Sequence, residues 1–233
     1  MPCFGRIAAR LRAVYPVTGS QRRPTLPLPR LPAAAIITMG NVRPAAWAGL
    51  LRVSRFRFRT EGPMRTLPDY LRKGMKMILV GSNPGDRSAR VGHYYAGRGN
   101  QFWPLMYESG VIPEPIGYED DRRILEFGIG MTDLVKRPTR SAEELERQEF
   151  AEGRVLLAQK LEDLRPRVIA FNGKMVYERF TGSICKLGLQ KEKLYNAYVF
   201  VLPSTSGQHT GNDRGVKMRY FKKLAALLKS LKD

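Results

Sequence analysis

The amino-acid sequence predicts an α/β fold in which helices cover both faces of a parallel sheet. Four apolar runs lie within residues 75–85, 127–135, 165–173 and 197–207, and segments with helical periodicity separate them. Each run is apolar throughout and does not alternate, which is typical of strands buried on both sides. With 43% hydrophobic residues in 233, the chain can also fill a sizeable core.

The helices follow from periodicity and from their end signals. We predict a short helical lead-in over 67–74, helices over 101–110 and about 141–163, a helix over 174–182, and a basic amphipathic helix over about 214–231. The mixture of acidic and basic residues over 119–127 indicates a loop.

A parallel sheet of this kind binds its ligand beyond the carboxyl ends of the strands. Those ends are expected at residues 81–86, 132–139, 172–174 and 203–209. The four segments should therefore converge on one pocket.

The charge favours a polyanionic partner. The sequence has 40 Lys+Arg against 21 Asp+Glu, a formal net charge of +19. Residues 1–60 hold 11 Arg and no acid, so residues 61–233 hold 29 basic and 21 acidic side chains, a charge of +8. Nucleic acid and an acidic membrane surface both fit, but no apolar run approaches the roughly 18 residues of a membrane span.

Residues 1–63 are rich in Pro, Arg and Ala and show no sustained period. We predict an N-terminal extension there and a folded domain over 64–233. Three interpretations of the extension stay open: a disordered basic arm that binds phosphates, an organelle transit peptide, and a segment without function. The expected location is the cytoplasm, on the nucleoid, if the chain is bacterial, with organelle targeting by residues 1–63 as the alternative.

Metal and cofactor chemistry is not expected. The two cysteines, Cys3 and Cys185, cannot supply the four thiolates of an iron–sulfur cluster, and their spacing from the two histidines fits no zinc site. We therefore predict no metal and no cofactor, unless carboxylates bind an ion.

The turn Gly81-Ser82-Asn83-Pro84-Gly85 follows the first apolar run. Pro84 fixes the backbone, so that Asn83 points in one direction. Such a turn is common in α/β proteins and by itself indicates no family. A set of four ordered segments is more specific evidence, and they span residues 81–103, 127–139, 165–174 and 202–207. In order and spacing they resemble the mismatch-specific uracil/thymine-DNA glycosylases of the uracil-DNA glycosylase superfamily.

The resemblance runs from about residue 67 to residue 231, and it implies a three-layer α/β/α sandwich with a short central parallel sheet. It also implies a monomeric enzyme that binds double-stranded DNA with a mismatched or damaged base. The enzyme would flip the base into a pocket and hydrolyse its N-glycosidic bond, which starts base excision repair. No Lys in these motifs resembles a Schiff-base nucleophile, so strand cleavage by a lyase step is not expected.

The resemblance assigns roles to the pocket residues. Asn83 takes the water-positioning place, since an amide can orient a water by hydrogen bonding but cannot act as a base near neutral pH. Tyr95 matches the aromatic residue that stacks on the base. Gly81 and Ser82 line the pocket, where backbone N–H groups of the turn could stabilise the departing base anion.

Two further pocket residues carry open assignments. Tyr94 falls where relatives often have His, so any imidazole contribution at that place is in doubt. Asn100 either reads the base or braces its loop.

Asp133 departs from the motif, because some relatives have Asn at this place. A carboxylate could hold a water beside Asn83, act as a general base, or accept a hydrogen bond from uracil N3–H. A helix N-cap or a solvated loop acid is the alternative. As a catalytic residue, Asp133 would favour uracil and disfavour a carboxylated pyrimidine.

The last motif and the start of one helix are predicted to contact DNA. The DNA-binding residues that we predict are Lys174, Ser204, Thr205, Ser206, Gly207 and Gln208. Gln208 falls where relatives insert a Leu or Arg wedge into the gap left by the flipped base.

Other functions remain compatible with the sequence. The substrate could be shifted to hypoxanthine, to uracil opposite any base, or to uracil in single strands. The chain could also be a non-catalytic DNA-binding module, or a protein anchored on nucleic acid mainly by its basic arm.

Overall fold

The computed structural model describes residues 65–207, 211 and 213–231. The strands in this part of the chain are β1 (Met77–Gly81), β2 (Ile129–Asp133), β3 (Val168–Asn172), β4 (Gly188–Leu189) and β5 (Tyr198–Leu202). They form one sheet in the order β2-β1-β3-β5-β4. All neighbours pair in parallel except β4, which runs antiparallel to β5 at the edge. The predicted α/β fold with a short central parallel sheet is confirmed.

Five α-helices accompany these strands in the described residues. They are α1 (Asp86–Val91), α2 (Phe102–Glu108), α3 (Arg147–Leu164), α4 (Lys174–Thr181) and α5 (Arg214–Ser230). Two 3₁₀ segments, Tyr118–Phe127 and Ala142–Glu144, precede β2 and α3. None of these helices is long and apolar enough to cross a membrane.

The sheet is sandwiched because alternate residues of each strand point to opposite layers. On one face, Leu79 and Met131 belong to a core cluster that includes Phe102 of α2 and Leu224 of α5. On the other face, the Phe171 ring lies 5.4 Å from Tyr177 and 5.6 Å from Phe180, both on α4. Both faces of the strands are therefore buried, which explains their unbroken apolar runs.

The predicted lead-in helix over 67–74 is wrong. Tyr70 instead pairs with the outer edge of β2, where its N–H donates to the Met131 carbonyl and its carbonyl accepts from the Met131 N–H, both at 2.9 Å. Covering an exposed strand edge outweighs the weak helix propensity of so short a segment.

The structure differs from the sequence-based prediction at four other places. The predicted loop over 119–127 is part of the 3₁₀ segment, and the helix expected from about 141 begins at Arg147 after a separate 3₁₀ turn. Helix α1 and the two-residue strand β4 were not predicted. The predicted extension over 1–63 lies outside the described residues.

Gly153 lets α3 approach the chain that follows β2. A β-carbon at this buried helical position would overlap the backbone carbonyl of Leu134. A backbone atom cannot swing away as a flexible side chain can, so the separation of these two elements depends on glycine.

We expect Gly153→Ala to lower the free energy of unfolding by about 1–3 kcal/mol, because the overlap outweighs the gain in helix propensity. Denaturant unfolding measures the change. Gly97→Ala is the matched control, since nothing lies within 4 Å of a β-carbon built there. Equal stabilities of the two variants would contradict the close approach.

Candidate active site

The pairing of β1 with β2 continues beyond the ends of both strands. The Leu134 N–H donates to the Gly81 carbonyl at 2.9 Å, and the Val135 N–H donates to the Ser82 carbonyl at 2.8 Å. Further on, the Thr139 N–H reaches the Pro84 carbonyl at 3.1 Å. The segments 81–85 and 132–139 therefore lie side by side at the carboxyl end of the sheet.

This pairing fixes the side chain of Asn83. Its Nδ2 lies 3.2 Å from the Arg137 carbonyl, 3.2 Å from the Pro84 carbonyl and 2.6 Å from Thr139 Oγ1. Carbonyl oxygens can only accept, so they determine which end of the amide is the nitrogen. No donor from the described residues is bonded to Asn83 Oδ1, which is thus left as an acceptor for a ligand or a water.

Gly81, Asp133 and Tyr95 meet at the floor of the site. Gly81 and Asp133 are partners in the β1–β2 register. A β-carbon on Gly81 would overlap Asp133 Oδ1 and lie 3.3 Å from the Tyr95 hydroxyl. Glycine at this position therefore provides the space that the carboxyl and phenol groups occupy.

The half-buried ring of Tyr95 is held rigidly. It stacks on Phe102 with 3.9 Å between centroids and 25° between planes, and its hydroxyl is hydrogen-bonded to the Asn172 side chain. Burial, together with the nearby Asp133 carboxyl, raises its pKa, so the phenol stays neutral. Its backbone has φ 55°, a left-handed conformation that costs free energy outside glycine.

Asp121 anchors the loop that carries Tyr95, and no pattern in the sequence indicated this role. Its carboxyl group is fully buried and accepts from the Tyr94 N–H at 2.7 Å and from the Tyr70 hydroxyl at 3.1 Å. His93 Nδ1 lies 3.1 Å from the same carboxyl. Three groups from two segments thus converge on one side chain.

Tyr94 needs a correction. We predicted it among the substrate-binding residues, but its side chain is buried in the core and its hydroxyl donates to the Pro68 carbonyl at 3.1 Å. Its own carbonyl accepts from Trp103 Nε1 at 3.1 Å. Tyr94 therefore supports the loop and does not line the pocket.

Thr205 needs a similar correction. Its hydroxyl, predicted to contact DNA, is fully buried and accepts from Asn172 Nδ2 at 2.9 Å. Its N–H donates to Asn172 Oδ1 at 3.2 Å, and its carbonyl accepts from the Gln101 N–H at 3.1 Å. Because Asn172 also bonds Tyr95, it connects the loop after β5 to the stacking ring.

Asn100 braces its loop. Its Oδ1 accepts from the Phe102 N–H at 3.0 Å, at the start of α2. Of the two roles left open by the sequence, the structure therefore favours the brace over direct reading of a base.

The remaining predicted DNA-contacting residues lie at the rim. Ser204 and Ser206 are half-buried, and Lys174 is exposed at the first position of α4. A β-carbon on Gly207 would lie 2.9 Å from the Arg98 carbonyl, so this segment packs tightly against the stacking loop. Gln208 lies outside the described residues.

Buried polar atoms without partners mark the same region. Five such side-chain atoms occur in the described part of the chain, and three of them are Ser82 Oγ, Gln101 Oε1 and Asp133 Oδ2. Ser82 precedes Asn83 in the chain, Gln101 precedes the Phe102 that stacks on Tyr95, and Asp133 lies beside Gly81. Unsatisfied buried polar groups are rare in native proteins, so these atoms indicate where a polar ligand binds.

Asp133 is the titratable group of the site. It is 5% exposed, and burial raises its pKa to about 7, with a further rise from Asp69 and an opposing effect of Lys136. Lys136 is itself bonded to Asp69, which also accepts from Lys160 Nζ at 2.7 Å. Lys136 and Lys160 therefore pair with Asp69, and no counter-ion from the described residues is in contact with Asp133.

The described residues contain no group of three His, Cys, Asp or Glu side chains that could hold a metal ion. The site presents the amide oxygen of Asn83, the Tyr95 ring stacked on Phe102, and the Asp133 carboxyl group, whose pKa is raised to about 7. These groups can position a water and hold a flat heterocycle.

Comparison with known proteins identifies the family. The family model for the uracil DNA glycosylase superfamily matches residues 68–231, which is most of the chain. The chain belongs to the uracil DNA glycosylase superfamily. Membership indicates a DNA glycosylase, an enzyme that acts on DNA. The mismatch-specific branch within the superfamily stays a prediction.

A solved structure is similar to this superfamily member. It is the solution NMR structure of a protein from Methanosarcina acetivorans, provisionally named a uracil DNA glycosylase. The two share 24% identity with a TM-score of 0.49, over 71% of this chain and 98% of that one.

We expect Asp121→Ala to lower the free energy of unfolding by about 3 kcal/mol, because it strands the buried Tyr94 N–H without an acceptor. Denaturant unfolding provides the measurement. The neighbouring Asp120 is exposed, so Asp120→Ala should change stability by less than about 0.5 kcal/mol. Similar losses for both variants would argue against the anchoring role of Asp121.

Asp133 should make stability depend on pH. Between its ordinary pKa of 3.8 and about 7, the unfolded chain has lost this proton and the folded protein retains it, so stability falls as the pH rises. Asp133→Asn cannot ionise and should gain stability over the wild type between pH 4 and pH 8, by at most about 4 kcal/mol. Melting temperatures of both proteins across this range test it; a constant difference would contradict the raised pKa.

Proposed function

We propose that this protein is a monofunctional DNA glycosylase that excises uracil or thymine from mismatches with guanine in double-stranded DNA. The reaction is hydrolysis of the N-glycosidic bond of a base flipped out of the duplex. It leaves an abasic site for base excision repair.

The fixed amide of Asn83 is the observation that carries this proposal. Two backbone carbonyls and Thr139 bind its nitrogen, so its oxygen is the atom presented to a water. A water held by one acceptor is oriented but not deprotonated, which suits a reaction in which the sugar becomes cation-like before attack. Catalysis by positioning alone also predicts a slow enzyme.

The stacking ring supports the same reaction. Phe102 covers one face of Tyr95, and we propose that the flipped base stacks on the opposite face. Ser82, Gln101 and Asp133 have buried polar atoms without partners in this region, and a base edge would satisfy them.

The rim supports binding of duplex DNA. A β-carbon built on Gly173, the residue before α4, would lie 3.6 Å from Ser204 Cβ, so Ser204 lies next to the start of the helix that Lys174 opens. The Ser206 N–H donates to Ser204 Oγ at 3.4 Å. Short hydroxyls and a helix N-terminus are suited to phosphate oxygens. Helix α5 adds six Lys and Arg and no acid to the domain, which favours a polyanionic partner.

Single-turnover excision tests the proposal directly. Labelled duplexes carry G:U, G:T, A:U or G:hypoxanthine, alongside single-stranded uracil, and alkali converts abasic sites into breaks. We expect breaks at G:U only after alkali, and a loss of about 100-fold or more in Asn83→Ala because the water is no longer positioned. The other substrates define specificity.

Gln148→Ala is the matched control, because Gln148 also carries an amide but is exposed on α3. It should excise at the wild-type rate. Breaks without alkali would contradict the monofunctional assignment. Tight mismatch binding with no excision of any base would show a DNA-binding module instead of an enzyme.

A further inference from the structure

Within the part of the chain that the structure describes, no donor is hydrogen-bonded to the carboxyl group of Asp133. Its Oδ2 is buried without a hydrogen-bond partner, and its Oδ1 occupies the space that a β-carbon on Gly81 would take. No side chain of the described residues donates to either oxygen. An ionised carboxylate in such a place would lose its hydration without compensation, whereas a neutral acid loses much less.

The charged groups around Asp133 are already engaged with other partners. Lys136, on the chain that follows β2, binds Asp69 and lies 3.0 Å from Thr132 Oγ1. On α3, Lys160 also binds Asp69, and Glu149 accepts from Arg137 Nε at 2.6 Å.

The two phenols that face Asp133 are engaged as well. Tyr95 is hydrogen-bonded to Asn172, and Tyr94 donates to Pro68. Glu152, further along α3, accepts from Gln148 Nε2 at 2.9 Å. Among the described residues, no cation forms an ion pair with Asp133 and no group donates a hydrogen bond to it, so Lys136 acts on its charge only from a distance.

We propose that Asp133 acts on the flipped base as a neutral carboxylic acid, donating a hydrogen bond to a carbonyl oxygen of the base while the glycosidic bond breaks. This inference rests on the proposed function and assigns the chemistry of one residue within it. A departing base anion places negative charge on its carbonyl oxygens. A donor stabilises that charge in a buried site, whereas an ionised Asp133 would repel it.

The reaction balances without another reagent. The bond between the sugar C1′ and the base nitrogen breaks, and its electron pair stays on the base. The water oriented by Asn83 forms the new C1′–O bond and releases a proton to solvent, from which the base anion takes one. Asp133 keeps its proton throughout. The substrates are bases with a suitably placed carbonyl oxygen, such as uracil, thymine or hypoxanthine, and adenine has none.

The pH dependence of single-turnover G:U excision, between about pH 5.5 and about pH 8.5, separates this role from that of a general base. We expect the wild-type rate constant to fall with rising pH, approaching tenfold per pH unit above the midpoint. Asp133→Asn keeps an N–H donor at every pH, so its rate should be independent of pH and exceed the wild-type rate at the alkaline end. Asp133→Ala should be about 100-fold slower than Asp133→Asn.

Three results would overturn the inference. A wild-type rate that rises with pH, with Asp133→Asn as slow as Asp133→Ala, would make Asp133 a general base. Equal rates for all three proteins would show that Asp133 does not contact the base. Absence of wild-type excision at every pH, with DNA binding intact, would instead overturn the proposed function itself, and this inference with it.

Two neighbouring variants test whether the titrating group is Asp133. Lys136→Met removes a nearby cation and should move the midpoint of the pH profile to higher pH. Asp69→Asn removes a nearby negative charge and should move the midpoint to lower pH. Circular dichroism confirms folding of each variant. A midpoint unmoved in both would assign the titration to another group and overturn the proposal.

Discussion

The parallel hydrogen-bonded ladder between β1 and β2 extends past the last residue of each strand, and the candidate site depends on that extension. Backbone bonds from Gly81 to Leu134 and from Pro84 to Thr139 hold the two loops together. The orientation of Asn83 follows, since its amide nitrogen bonds to atoms of the neighbouring loop. A catalytic group on a loop thus acquires the rigidity of a sheet, which positional catalysis requires.

Three buried or partly buried carboxyl groups illustrate how surroundings assign roles to one functional group. Asp121 accepts from three donors and anchors a loop. Asp69 binds two lysines and a threonine hydroxyl, and so joins the first described segment to β2 and α3. Asp133 accepts no hydrogen bond from the described residues, and its Oδ2 is buried. The first two are satisfied by the fold itself, and only the third has hydrogen-bonding capacity left for a ligand.

The sequence predicted the four parallel strands well, because burial on both faces produces unbroken apolar runs. It also brought Asn83, Asp133 and Tyr95 to one end of the sheet. It missed contacts between segments distant in the chain: Tyr70 pairs with a strand edge instead of forming a helix. Motif position likewise cannot show which way a side chain faces, so Thr205 was expected at the surface but is buried. Such errors arise where tertiary packing overrides local pattern.

The approach of Gly207 to Arg98 and Gly99 has a mechanical consequence. The backbones are so near that no side chain fits between them, and Asn172 connects the same segments from below. The rim segment and the stacking loop are therefore packed directly against each other. A DNA strand that displaced the rim segment would also alter the width of the cleft beside the Tyr95 ring. Two glycines from distant parts of the chain, Gly99 and Gly207, thus couple the proposed DNA-contacting rim to the proposed base pocket.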